Sequence, residues 1–180
     1  MEVEFAPVET EEHVGQLAEL AGEIWRDYWP ALIGEGQTEY MIEQFQSADA
    51  IKRDMAENAY EYWFVRVRED GAGAEGEPRV VGYTGGHDEP ETNRFFISKI
   101  YLAAADRGRG FASRIVAFYD ELCRERGLSA SYLTVNKHNE LALRAYRAKG
   151  FREIDSVVTE IGGGYVMDDY VMERPVTSRA

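Results

Sequence analysis

Val3–Val8 alternates apolar and acidic side chains, the two-residue period of an edge-like strand. The period then lengthens. Val14, Leu17, Ala18, Ala21, Ile24, Trp25 and Tyr28 recur at helical spacing, Thr10 stands where a cap belongs, and Trp29-Pro30 ends the run. Ala31–Thr38, with Gly34 and Gly36, reads as a loop. Glu39 to about Asn58 reads as a second helix with Met41, Phe45, Ala48, Ile51 and Met55 on one face. Tyr60–Arg68, rich in aromatic and branched residues, predicts a strand, Asp70–Pro78 a flexible hairpin connection, and Arg79–Gly86 the return strand. Phe95–Ala103 is the next strand. Gly110–Arg126 predicts a helix with Ile115, Val116, Tyr119, Leu122 and Cys123 inward, closed by Gly127. Ser131–Val135 is a short buried strand, and Asn139–Lys149 a helix stopped by Gly150. Phe151–Ile161 and Tyr165–Met172 are strands joined by Gly162-Gly163-Gly164. No repeat is visible, so strands and helices around one central βαβ unit predict a single α+β domain over residues 1–180.

Composition narrows the class of protein. At 180 residues the chain can bury a real core. No run approaches the roughly 18 apolar residues of a membrane span, and the acidic start Met1-Glu2-Val3-Glu4 lacks the basic and apolar regions of a signal peptide. A single cysteine allows no internal disulfide, so a cytoplasmic location is expected. With 33 acidic against 20 basic residues, the net charge of −13 disfavours nucleic acid and anionic membranes as partners and attracts cations.

Against that acidity, Arg107-Gly108-Arg109-Gly110-Phe111-Ala112 is a concentration of positive charge between a strand and a helix. Gly108 and Gly110 permit positive φ and let a bulky anion approach the backbone, Ala112 is small, and the helix start presents free amides. The expected ligand is a pyrophosphate. A dinucleotide fold would want a third glycine where Ser113 stands and an acid ending the strand Ser131–Val135; a nucleotide P-loop would want Gly-Lys-Ser/Thr. Neither fits. Downstream, Asn139 and Tyr146 are seven residues apart, on one helix face and about 10 Å from one another. Ala142 keeps the surface between them low. Asn139 also suits a helix N-cap, and Tyr146 also suits core packing.

Arg107-x-x-Gly110-x-Ala112 after a strand, followed by Asn139-x-x-Ala142-x-x-x-Tyr146-x-x-x-Gly150-Phe151, resembles the GNAT superfamily of acetyl-CoA-dependent N-acetyltransferases. The resemblance is carried by Lys99–Phe151, with one departure: Ala104 stands where many members have proline. It implies a mixed, mostly antiparallel twisted sheet of about seven strands flanked by about four helices. It also implies acetyl-CoA as co-substrate, bound by Leu102, Arg107, Gly108, Arg109, Gly110, Phe111, Ala112, Asn139 and Tyr146. Tyr146 would protonate the leaving thiolate, its phenol with an ordinary pKa near 10 remaining protonated at neutral pH. The backbone amide at about Leu102 would polarise the thioester carbonyl. The pantetheine arm would pair with strand ends near Tyr101–Ala103 and Thr134–Asn136.

A base must also take a proton from the acceptor ammonium. Glu89 is the leading candidate beside His87, Asp88 and Glu91. The acceptor would sit near Trp25–Thr38 and Gly162–Tyr170. There Tyr28 and Trp29 offer aromatic faces to a cation, and Glu35 and Asp168 offer opposite charge; Asp168 and Asp169 are adjacent on a strand, so at most one faces the site. A small cationic, polyamine-like primary amine is the expected acceptor. The alternatives are a protein or peptide acceptor and a non-catalytic acyl-CoA-binding regulatory domain. Cys123 is expected to be a small buried hydrophobe and His138 exposed, and no metal is expected. A homodimer is an expectation by analogy alone.

Overall fold

In a computed structural model of the chain, residues 1–68 and 78–176 are described. The connection expected over Asp70–Pro78 lies outside them except for Pro78. Among the described residues are seven strands, β1 (Glu2–Pro7), β2 (Glu61–Arg68), β3 (Arg79–Glu89), β4 (Arg94–Leu102), β5 (Ala130–Asn136), β6 (Arg152–Gly162) and β7 (Tyr165–Pro175). They make one mixed sheet in the order β1-β2-β3-β4-β5-β7-β6. Six α-helices accompany them among the described residues: α1 (Glu11–Tyr28), α2 (Pro30–Ile33), α3 (Glu35–Met41), α4 (Ala48–Glu57), α5 (Phe111–Arg126) and α6 (Glu140–Ala148). The chain divides into two compact units, Met1–Gly86 with Lys99–Ile115 and His87–Ser98 with Val116–Ala180.

In the first unit β1 pairs antiparallel with β2, and β2 with β3. Thr10 caps α1 as expected, its hydroxyl accepting from the His13 amide. Apolar residues at helical spacing, Val14, Leu17, Ala21 and Ile24, then pack with Ile51, Tyr62, Phe64 and Tyr83 into a buried core. The loop expected over Ala31–Thr38 is instead two short helices. Proline, which has no amide to donate, ends α1 and starts α2 at its first position, and Gly34 with φ +84° separates α2 from α3. The single helix expected over Glu39–Asn58 is also interrupted. Ile42–Gln46 is π-helical, and Ser47 leaves the helical region and caps α4 by accepting from the Ala50 amide.

In the second unit β4 runs parallel to β5, with Arg94↔Ala130, Phe95↔Ser131 and Phe96↔Tyr132 in register. The register goes no further, although β5 continues to Asn136. On its other side β5 pairs antiparallel with β7 along its whole length, and β7 pairs with β6. Phe95 and Tyr119 are fully buried with ring centroids 5.0 Å apart. β6 is the last strand of the sheet and is exposed along its length except at Ile161.

Candidate active site

The strand-to-helix turn lies in the first unit. After Leu102 a 3-10 turn, Ala104–Asp106, redirects the chain where proline was missing from the expected pattern. Gly108 and Gly110 then adopt φ of +77° and +87°, and a Cβ at either would meet no atom within 4 Å. Open space at left-handed glycines is what a bulky anion needs to reach the backbone. Phe111, buried, starts α5, whose first amides have no carbonyl inside the helix; the Ser113 and Arg114 amides turn back to the Gly110 carbonyl. Ala112 is half-buried beside them.

Both arginines of the turn are engaged within the chain. Arg107 donates through Nε to the Leu102 carbonyl at 3.1 Å, pairs with Asp27 at 3.1 Å, and lies 4.8 Å from the Tyr28 ring centroid. Arg109 pairs with Asp106 at 3.0 Å. Asp106 is buried and takes a bidentate pair from Arg79, both bonds 2.8 Å long. These bonds, Arg79 first, hold its carboxyl below the ordinary carboxylate range. Asp106 thus ties the turn to the start of β3.

Leu102 ends β4 against Gly82. A Cβ at Gly82 would sit 2.2 Å from the Tyr101 carbonyl oxygen and 3.0 Å from Leu102 Cα, so only glycine admits this approach. Of the expected acceptor residues here, Tyr28 already carries Arg107 on its ring and meets Trp29 edge-on at 5.3 Å. Trp29 also packs on Trp25 at 5.3 Å. Glu35 is exposed in the first turn of α3, where a carboxylate complements the helix dipole.

The second unit holds the remaining residues. Asn139 is buried and caps α6, its Oδ1 accepting from the Ala142 amide at 3.2 Å. Tyr146 is half-buried on α6 with its ring edge-on to Phe151 at 5.6 Å. Glu89 ends β3 and accepts from Thr92 Oγ1 at 3.0 Å and from the Tyr132 hydroxyl, with Arg94 3.9 Å away. Its carboxylate is built into the β3–β4 hairpin. His87 lies with Nδ1 3.0 Å from the Asp88 carbonyl oxygen, Asp88 pairs with Arg126 at 2.9 Å, and Glu91 is exposed. Asp168 pairs with Lys137, leaving Asp169 as the buried member of the two. Burial, then the neighbouring Asp168, pushes Asp169 up to about 6. Cys123 is buried, and that burial pushes its thiol up to about 11, so it is no nucleophile at neutral pH. His138 is exposed. Among the described residues no group of three or more potential metal ligands occurs, and no helix is long and apolar enough to cross a membrane.

Two residues escaped sequence reasoning. Asp106 looks like any turn acid until Arg79, distant in sequence, is brought onto it. Lys99 looks like the one charged residue of the apolar strand expected over Phe95–Ala103, yet it is buried.

The family model described as acetyltransferase (GNAT) family matches residues 21–151. The chain belongs to that family. The uncharacterized N-acetyltransferase YycN of Bacillus subtilis is 34% identical over 86 residues, 47% of this GNAT chain and 55% of YycN. The chain therefore spans about half the length of that curated relative. Among solved structures, an N-acetyltransferase, PaiA, of Thermoplasma acidophilum in complex with coenzyme A superposes with a TM-score of 0.73. It is 17% identical, with 97% of this chain and 99% of that one covered. A chimera of the Vibrio cholerae spermidine N-acetyltransferase SpeG and hSSAT gives a TM-score of 0.67 at 19% identity, covering 97% and 96%. At these identities the structural likeness establishes the GNAT fold.

Proposed function

We propose that the chain is one acetyltransferase domain that moves the acetyl group of acetyl-CoA directly to a primary amine. The observation that carries this reading is the turn Arg107–Ala112: two left-handed glycines with open space beside them, placed at the start of a 16-residue helix. Amides of Gly108, Gly110, Phe111 and Ala112 are suited to the pyrophosphate, with Arg109 at the rim. Asp106 and Arg107 act by holding the turn in shape. The edge of β5 beyond Tyr132 is suited to the amides of the pantetheine arm.

In the reaction the amine nitrogen forms a bond to the acetyl carbon and the bond from that carbon to sulfur breaks. The Leu102 amide is the proposed donor to the oxygen that gains charge, Tyr146 the proposed proton donor to the leaving thiolate, and Asn139 the cap that fixes the start of the Tyr146 helix. The Glu89 carboxylate already accepts from Thr92 and Tyr132, which engages it within the β3–β4 hairpin.

A polyamine acceptor draws support from the net charge of −13 and from the spermidine N-acetyltransferase neighbour. Against it, Tyr28 already faces a guanidinium and Asp168 a lysine. The test is acetyl-CoA-dependent thiol release across polyamines, amino acids, aminoglycosides and basic peptides, with acetyl-CoA binding followed by calorimetry. Turnover of an amine supports the reading. Acetyl-CoA binding with no turnover favours a regulatory domain, and no binding overturns the donor site.

A further inference from the structure

The first unit contains a buried cation with few partners. Lys99 lies on β4 and is only 7% exposed. Its ammonium donates one long hydrogen bond, 3.5 Å to the carbonyl of Phe45 in the π-helical segment. An ammonium has three donors, so two are unused. No carboxylate among the described residues forms an ion pair with it. Asp54 on α4 is the charge that acts on Lys99, and its carboxylate accepts from Asn58 at 3.0 Å. Burial outweighs the pull of Asp54 and lowers Lys99 to about 8.

Two further buried donors lie in the same neighbourhood. The Tyr62 hydroxyl has Asp54 as its hydrogen-bonding neighbour, and Tyr101 acts on it electrostatically. The Trp29 indole N–H is buried and unpartnered. Trp29 packs on Trp25, and Trp25 packs on Tyr101 with centroids 5.3 Å apart. Tyr101 shares a face of β4 with Lys99. The remaining polar groups are satisfied among themselves, with Trp25 Nε1 donating to Tyr83 Oη and Tyr83 Oη to Gln46 Oε1. Unused donors therefore gather where acceptors are few. Unmet buried donors of this kind are costly unless something else meets them.

We propose that the acceptor amine carries a carboxylate at its far end and that the Lys99 ammonium is the counter-ion for that group. This rests on the acetyltransferase reading above and replaces a polyamine by an amino acid as the acceptor class. Position favours binding over proton transfer. Lys99 is three residues from Leu102, about 10 Å along a strand, too far to share a proton directly with an amine attacking a carbonyl held at Leu102. The same separation suits an amine several bonds away from its carboxylate.

The test compares straight-chain amino acids, aminated at the α or the ω position, with their amides and with diamines of the same length. In the wild type, kcat/KM for the favoured amino acid should exceed that for its amide and diamine by roughly tenfold or more. Lys99→Met should erase that preference and leave the KM for acetyl-CoA unchanged, while Lys99→Arg should retain part of it. A wild type that prefers diamines, or is indifferent, overturns the proposal, as does a Lys99→Met variant that slows all three classes alike. Acetyl-CoA binding without turnover of any amino acid overturns it while leaving the donor reading intact; failure to bind acetyl-CoA overturns both. Should Lys99→Met not fold, the wild-type comparison decides.

Discussion

Asp106 and Asp169 are both buried carboxyls in opposite electrical settings. Asp106 faces guanidinium groups and is held low, so its stabilisation is present above the unfolded carboxylate range near 3.9 and is lost as pH falls. Asp106→Asn should cost about 2 kcal/mol, below the usual figure for a broken buried pair because Arg79 and Arg109 are half-exposed. Denaturant unfolding measures that loss, and calorimetry should show weaker acetyl-CoA binding as the turn loosens. Asp169 behaves the other way. Its folded value of about 6 lies above the unfolded one, so the folded state holds the extra proton between them and stability falls as pH rises from about 4 to 6. Asp169→Asn should remove that slope and raise stability at pH 7 by about 2 kcal/mol, partial exposure discounted. Thermal unfolding across that range checks it. Tyr146→Phe should lower kcat by roughly a hundredfold with little change in acetyl-CoA affinity; equal loss of both would mean that the ring only packs. At this scale the caps were legible, Thr10 as the expected one and Asn139 as the alternative to a ligand role, since a cap is a local bond. It missed Asp106 and Lys99 because their burial depends on partners far along the chain.

Elements were legible where their signals were local and periodic. The alternation of β1, the apolar face of α1 and the glycine stops at Gly127 and Gly150 all predict elements that form. The region between Pro30 and Asn58 was harder. Pro30 reads equally as a stop and as the first residue of a new helix, and Ser47 caps α4 from inside an otherwise continuous apolar face. For the turn before α5 the consequence can be tested. Gly110→Asp places an anion where phosphate is expected and should abolish acetyl-CoA binding by calorimetry. Gly110→Ala, which adds only strain at φ +87°, should weaken binding less. Equal effects would assign the glycine to backbone shape alone.

For the whole chain, strand count, mixed sheet and family were all readable from two motifs and the order of elements. The acceptor was not. The pattern of acids and aromatics suggested a cation, but Arg107 and Lys137 occupy Tyr28 and Asp168, and only the folded chain reveals that. Net charge acts at this scale as well. β6 closes the sheet with Ile154, Val157 and Val158 exposed, an arrangement that invites other chains to add strands. Glu153, Asp155 and Glu160 along the same strand, within a molecule of charge −13, are its guards. Acidifying toward the pI near 4.7 should bring turbidity, and salt at neutral pH should narrow the margin. Light scattering against pH would show it, and replacing Val158 with lysine should delay the onset. The shelf life of this protein in a test tube is thus written on its outermost strand.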